Sequence, residues 1–313
     1  MLTRIISGAV GALLLAVVLY FHDTLFLPIA VSAMTGVMLF ELLRAVKLHK
    51  CLPVLISAEI CGILAPLFYS FNFYGDQVEN FTTILDVHIA PFDKSVPEAV
   101  IEIFGWRVSP SLLTFAVSLT AAFVIFVTWL RKHKEIRYEQ IFFVLASMIL
   151  VPQAMTTMIR IERTDSKNGL FLLIMALCGA WIADTGAYFT GVAIGKHKLC
   201  PEISPKKTIE GFIGGILTTA IAYTAAFSIY YGFTAKRAVI AFVTGAFCAV
   251  VGAIGDLSAS MVKRQIGFKD YGKIMPGHGG LMDRFDSVLF VLPTFYIMIA
   301  VVLEDHSVGG LLG

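Results

Sequence analysis

Apolar residues fill long unbroken runs of this chain, and polar residues gather in the stretches between them. Nine runs approach the roughly 20 residues that a helix needs to cross a bilayer. They are approximately Ile5–Phe21, Leu25–Leu43, Leu52–Tyr74, Ser111–Leu130, Ile141–Ile159, Leu170–Gly195, Phe212–Phe233, Ala238–Gly255 and Phe285–Leu303. The pattern predicts an all-α, polytopic membrane protein with about nine transmembrane helices. Residues 1–110 would carry the first three helices and an outer loop, and residues 111–313 helices four to nine. The first run follows Arg4 and lacks a small-x-small cleavage pattern, so it reads as a retained membrane helix.

Composition agrees with the pattern. Of 313 residues 58% are hydrophobic and 15% charged, against about 45–50% and about 25% in soluble domains. Mean hydropathy is +0.82. No polar stretch is long enough to bury a core of its own, which excludes a separate soluble domain. Cys51, Cys61, Cys178, Cys200 and Cys248 form no CxxC pair and no cluster with zinc-ligand spacing. Neither a disulfide framework nor a structural zinc is expected.

The connecting segments alternate in charge. Arg4, Arg44–Lys50, Arg131–Arg137, Lys196–Lys207 and Lys263–Arg284 together hold seventeen of the 24 Lys and Arg residues. By the positive-inside rule these segments face the cytoplasm, so the N-terminus is cytoplasmic and the C-terminus outside. The longest outer connection, Gly75 to Pro110, carries Asp76, Glu79, Asp86, Asp93, Glu98 and Glu102, and is expected to lie on the membrane surface as a short amphipathic piece.

Two inner segments are longer than connection requires. The first runs from Lys196 to Gly211 and contains Ser204, Lys206, Lys207, Thr208 and Glu210. The second runs from Gly255 through Asp286. Asp256, Ser260, Lys263 and Arg264 fall at i, i+4, i+7 and i+8, one face of a helix continuing out of the eighth crossing. Asp283 and Asp286 are three apart where the ninth begins, after the flexible turn Pro276-Gly277-His278-Gly279-Gly280. Carboxylates, cations and a Gly-rich turn at a helix start are the parts of a phosphate-transfer site. Singly, each reads as well as a cap or a topology signal.

The run Ser260-Met-Val-Lys263-Arg264-x4-Lys269-Asp270-x-Gly272-x2-Met275-Pro276-x-His278-Gly279-Gly280-Leu-x-Asp283-Arg284-Phe-Asp286 resembles the phosphatidate cytidylyltransferase (CDP-diacylglycerol synthase) family. Met275 stands where that pattern has Leu, Ile or Phe, a swap that keeps apolar volume. Ser204-Pro-Lys-Lys-Thr208-x-Glu210-Gly211 and Ala183-Asp184-Thr-x-Ala187-Tyr188 share the resemblance. It is sharp over about Asp184–Asp286 and rests on hydropathy and topology elsewhere. It implies transfer of CMP from CTP to phosphatidate, giving CDP-diacylglycerol and pyrophosphate, with Mg²⁺ as cofactor. It further implies a cell-membrane enzyme of phospholipid biosynthesis, a homodimer surrounded by lipid, without a nucleic-acid partner.

With that reaction in view, Asp256, Lys263, Arg264, Asp283, Arg284 and Asp286 are the expected catalytic residues. Asp256 and Asp283 are expected metal ligands, with Asp286 a ligand or its neighbour. Asp184, inside an apolar helix, either joins them at the metal or makes a structural hydrogen bond. Ser204, Lys206, Lys207, Thr208, Glu210, Ser260, Lys269 and His278 are expected to contact substrate, although Lys206 and Lys207 equally suit anionic lipid headgroups. Glu59, midway along the third crossing, reads as a functional residue, part of an ion path in a transporter, or as a partner between helices or subunits. The rival readings are a CTP-using lipid kinase, which would release CDP, an enzyme consuming CDP-lipids, whose Asp-rich pattern is absent, and a transporter. No internal repeat supports the last.

Overall fold

The computed structural model describes residues 2–82, 87–89, 101–103, 106–165, 167–277 and 279–304. The chain folds into an all-α polytopic membrane protein. Among the described residues eight helices are long and apolar enough to cross a membrane. The first predicted run is also helical, with a shorter apolar stretch over Ile6–Tyr20. Large apolar side chains such as Leu14, Phe115, Phe123, Leu150, Val192 and Ile229 point outward from their helices. Lipid, rather than water, is the solvent that accepts such a surface.

The chain divides into two compact units. The first comprises Met1–Ile159 with Tyr271–Met282. It contains α1 (Leu2–Tyr20), α2 (Phe26–Ala45), α3 (Leu52–Thr82), α4 (Pro110–Arg131) and most of α5 (Tyr138–Thr164). Its core gathers Leu27, Val31, Leu39 and Leu43 of α2 with Val54, Ala58 and Cys61 of α3. Ser109 caps α4 by accepting from the Leu112 N–H at 3.3 Å, with Pro110 at the first helical position.

The connection between α3 and α4 departs from expectation. It holds three short antiparallel strands, β1 (Val87–Ile89), β2 (Ile101–Ile103) and β3 (Trp106–Val108), in place of an amphipathic surface piece. The triplets Val-His-Ile, Ile-Glu-Ile and Trp-Arg-Val alternate apolar and polar residues, which is the period of a strand. Asp86, Asp93 and Glu98 lie outside the described residues.

The second unit comprises Arg160–Asp270 and Asp283–Gly313. Its helices are α6 (Gly169–Ile194), α7 (Ile209–Tyr231), α8 (Ala235–Ile266) and α10 (Val288–Glu304). The short α9 (Met282–Phe285) precedes α10. Between α6 and α7 the chain forms an antiparallel hairpin of β4 (Lys198–Cys200) and β5 (Ser204–Thr208), where the sequence suggested only a loop.

Small residues set the spacing of α6, α7, α8 and α10, as is common between membrane helices. A Cβ at Gly215 of α7 would lie 2.7 Å from the Ala183 carbonyl, and one at Gly211 equally close to that of Ala187. At Gly255 of α8 a Cβ would lie 2.8 Å from the Asp286 carbonyl and 2.7 Å from the Phe290 ring. Buried Tyr223 of α7 donates its hydroxyl to the Met175 carbonyl of α6 at 2.7 Å. An interhelical bond of this kind is worth about 0.6 kcal/mol in a bilayer.

Candidate active site

The polar centre of the second unit is assembled from four pieces of chain. α6 contributes Asp184, β5 Lys206 and Lys207, α8 Asp256 and Lys263, and the α9–α10 junction Asp283, Arg284 and Asp286. Each is placed by a local device. Thr208 ends β5 and caps α7, accepting from the Gly211 N–H at 3.1 Å, which fixes Lys206 and Lys207 just before the cap. α8 runs unbroken through the predicted Asp256–Arg264 face and stops at Gly267, in the left-handed region with φ 80°. There the Phe268 N–H donates to the Lys263 carbonyl at 2.8 Å and the Gly267 N–H to that of Arg264 at 3.1 Å.

Between α9 and α10 the helix opens for two residues, Asp286 and Ser287. Asp286 Oδ1 accepts from the Ser287 N–H at 2.8 Å, a local bond that competes with helix continuation. The predicted ninth helix, Phe285–Leu303, is therefore interrupted at its start.

The ion pairs define the geometry. Lys263 Nζ lies 2.8 Å from Asp283 Oδ1 and 3.8 Å from Asp286 Oδ2. All three side chains are nearly buried, at 11%, 3% and 7% exposure. Lys207 pairs with Asp256 in a more open position. Asp184 interacts electrostatically with Asp256, Lys207 and Arg284, and Asp286 with Asp256 and Asp184. The Ser287 hydroxyl reaches Asp286 at 3.3 Å and also meets Asp184. Sequence reasoning missed Ser287, whose only signal is its position next to the end of the motif.

Beside this cluster a cavity of about 340 Å³ opens between α6, α7, α8 and β5. Asp184, Lys206, Lys207 and Thr208 supply its polar lining. The rest is mostly small or apolar, including Ala183, Ala187, Gly191, Gly215 and Gly252. The glycines and alanines that let the helices approach also leave this space.

Glu210 faces the turn before β4, accepting from the N–H groups of Lys196 (3.1 Å) and His197 (3.2 Å) and pairing with His197 Nδ1 at 2.6 Å. Arg264 is exposed, its Nε donating to the Ile203 carbonyl at 3.5 Å. Ser204 and Ser260 are half-buried, and Lys269 is exposed. His278 lies outside the described residues. In the first unit, Glu59 of α3 lies beside Gly36 of α2.

Among the described residues no three His, Cys, Asp or Glu side chains are grouped tightly enough to make a metal site by themselves. The four carboxylates expected at a metal are thus no ready-made cage. Asp283 is held by Lys263 and Asp256 by Lys207. Three of the carboxylates, Asp184, Asp256 and Asp286, nevertheless sense one another's charge across the unit. Hard oxygens of this kind are the donor type that magnesium takes, and any ion held here would need water and phosphate oxygens as well.

A model of the cytidylyltransferase family matches residues 2–302. A phosphatidate cytidylyltransferase of Bacillus subtilis (strain 168) is 33% identical over 299 residues, covering 95% of this chain and 97% of the relative. Those of Staphylococcus saprophyticus and Staphylococcus aureus (strain COL) are 44% and 46% identical over 132 residues, 42% of this chain and 50% of each relative.

Proposed function

Since the chain belongs to the cytidylyltransferase family, we infer that it is a CTP:phosphatidate cytidylyltransferase whose chemistry takes place at the carboxylate–lysine cluster of the second unit. One observation supports this location above others. A cavity with an apolar lining, set among membrane helices, has Asp184, Lys206 and Lys207 at its polar side. Such a space suits the glycerol and upper acyl portion of a lipid, with its phosphate held by lysines.

In the reaction a phosphatidate oxygen bonds to the α-phosphorus of CTP, the bond from that phosphorus to the bridging oxygen breaks, and pyrophosphate leaves. The attacking oxygen is already anionic near neutral pH, so no strong base is needed. The residues' work is positioning and neutralisation. Lys206 and Lys207 hold the lipid phosphate against repulsion from the nucleotide. Lys263 keeps Asp283 and Asp286 in place at the α9–α10 junction, and Arg284 offers a bidentate contact to a phosphate. Asp184, Asp256 and Asp286 are the residues that would hold Mg²⁺. That ion, when bound, neutralises charge on the triphosphate. The basic inner segments support a site facing the cytoplasm, where CTP is found.

The test is product analysis with purified protein in detergent, phosphatidate, Mg²⁺ and CTP labelled at the α-phosphate. Label appearing in CDP-diacylglycerol with equal release of pyrophosphate is expected. Release of CDP, or a stable labelled protein, would overturn the reading.

A further inference from the structure

A middle stretch of the motif, Tyr271–Met282, belongs to the first unit. There it meets a carboxylate to which no motif assigns a role. Glu41, on α2, is 1% exposed. Its Oε1 accepts from the Leu281 N–H at 3.1 Å, and its Oε2 from the Met282 N–H at 2.8 Å. Both oxygens are thus used on consecutive backbone donors. Two motif glycines complete the fit. A Cβ at Gly272 or at Gly280 would run into the Glu41 carboxylate. The same stretch is tied to α1, where Ser7 Oγ donates to the Pro276 carbonyl at 3.0 Å.

These contacts are costly to make without a purpose. A carboxylate removed from water must have its acceptors filled. Here two of the donors are backbone amides that follow the Gly-rich turn at the entry to α9. Met282 is followed in the chain by Asp283, so the two anchored amides fix the backbone at the point where it enters the proposed active site.

We propose that Glu41 is a positioning residue for nucleotidyl transfer: it clamps the Leu281 and Met282 amides and thereby sets the path of the chain into Asp283. The inference rests on the reading that Asp283 belongs to the reaction centre. Gly272 and Gly280 then leave room for the clamp, in addition to any approach to substrate.

The experiment compares the full-length protein with Glu41→Gln, Glu41→Asp, Gly280→Ala and the Glu41→Asp/Gly280→Ala pair. Three readouts are taken on each preparation: folded fraction in detergent, kcat and KM for CTP and phosphatidate, and hydrogen–deuterium exchange of peptides covering residues 272–285. Glu41→Gln keeps the shape but exchanges one acceptor oxygen for a donor. It is expected to lower kcat by roughly 10- to 100-fold, with both KM values nearly unchanged, and to speed exchange in that segment. Gly280→Ala alone should act in the same direction. Shortening Glu41 should be less harmful in the Gly280→Ala background than in the native one, because the methyl gains room. Faster exchange with unchanged kcat would show a moored segment that the reaction does not need, and would overturn the proposal. So would a loss of activity that only tracks the folded fraction. If the native protein released no pyrophosphate, the functional reading would fail instead, and the exchange data would still report whether Glu41 holds the segment.

Discussion

Lys263 on α8 reaches Asp283 at the start of α9 with its ammonium 2.8 Å from the carboxylate, and both side chains are nearly buried. Removing one partner of such a pair leaves a charge in a medium that cannot solvate it. Lys263→Ala is expected to cost about 3–5 kcal/mol. The paired change Lys263→Met/Asp283→Leu should recover most of that stability and none of the activity. Thermal unfolding in detergent beside pyrophosphate release separates the two effects.

The Lys207–Asp256 pair is more open, so its loss should be felt in catalysis rather than folding. Lys207→Gln and Asp256→Asn are each expected to lower kcat by about 100- to 1,000-fold with little change in unfolding temperature. A matching loss of folded protein would reassign the pair to structure.

Helix spacing should matter for activity most where it sets the carboxylates. Gly255→Ala forces α8 against the Asp286 carbonyl and Phe290 ring. Gly245→Ala, on the same helix, presses on Thr219 and Ala220 of α7. Both are expected to destabilise by about 1–3 kcal/mol. Only Gly255→Ala should also lower the activity of the protein that remains folded, which a titration of active protein against folded protein measures.

Metal use can be tested through Asp184, a carboxylate inside the apolar helix α6. Chelation should abolish turnover and added Mg²⁺ restore it. Asp184→Asn is expected to raise the Mg²⁺ concentration for half-maximal activity by about 10- to 100-fold. An unchanged requirement would remove Asp184 from the metal.

Much of this was readable from the chain alone, and the parts that were not have physical causes. The runs of apolar residues announced the helices, and the i, i+4, i+7, i+8 spacing of Asp256, Ser260, Lys263 and Arg264 announced a face that α8 does present. Convergence was harder. Periodicity says which residues share a helix, yet the pairing of Lys207 with Asp256, or the meeting of Asp184 with Ser287, depends on how closely glycines and alanines let α6, α7, α8 and α10 approach. The break at Asp286–Ser287 depends on a bond from one side chain to the next backbone amide, which no apolar pattern records. Glu41 was invisible for a third reason. One acidic residue near the end of an apolar run, with Arg44 three positions on, looks like the edge of a membrane span.

The distance in sequence between Glu41 and its donors also bears on how the protein is made. Leu281 and Met282 lie 240 and 241 residues beyond it. A ribosome delivers α2 to the membrane first, and the amides that fill its carboxylate follow 240 and 241 residues later. Until α9 emerges, the nascent chain holds its helices without this clamp. Competence for nucleotidyl transfer therefore waits for α9, and a product interrupted before it carries earlier membrane segments but not a set Asp283.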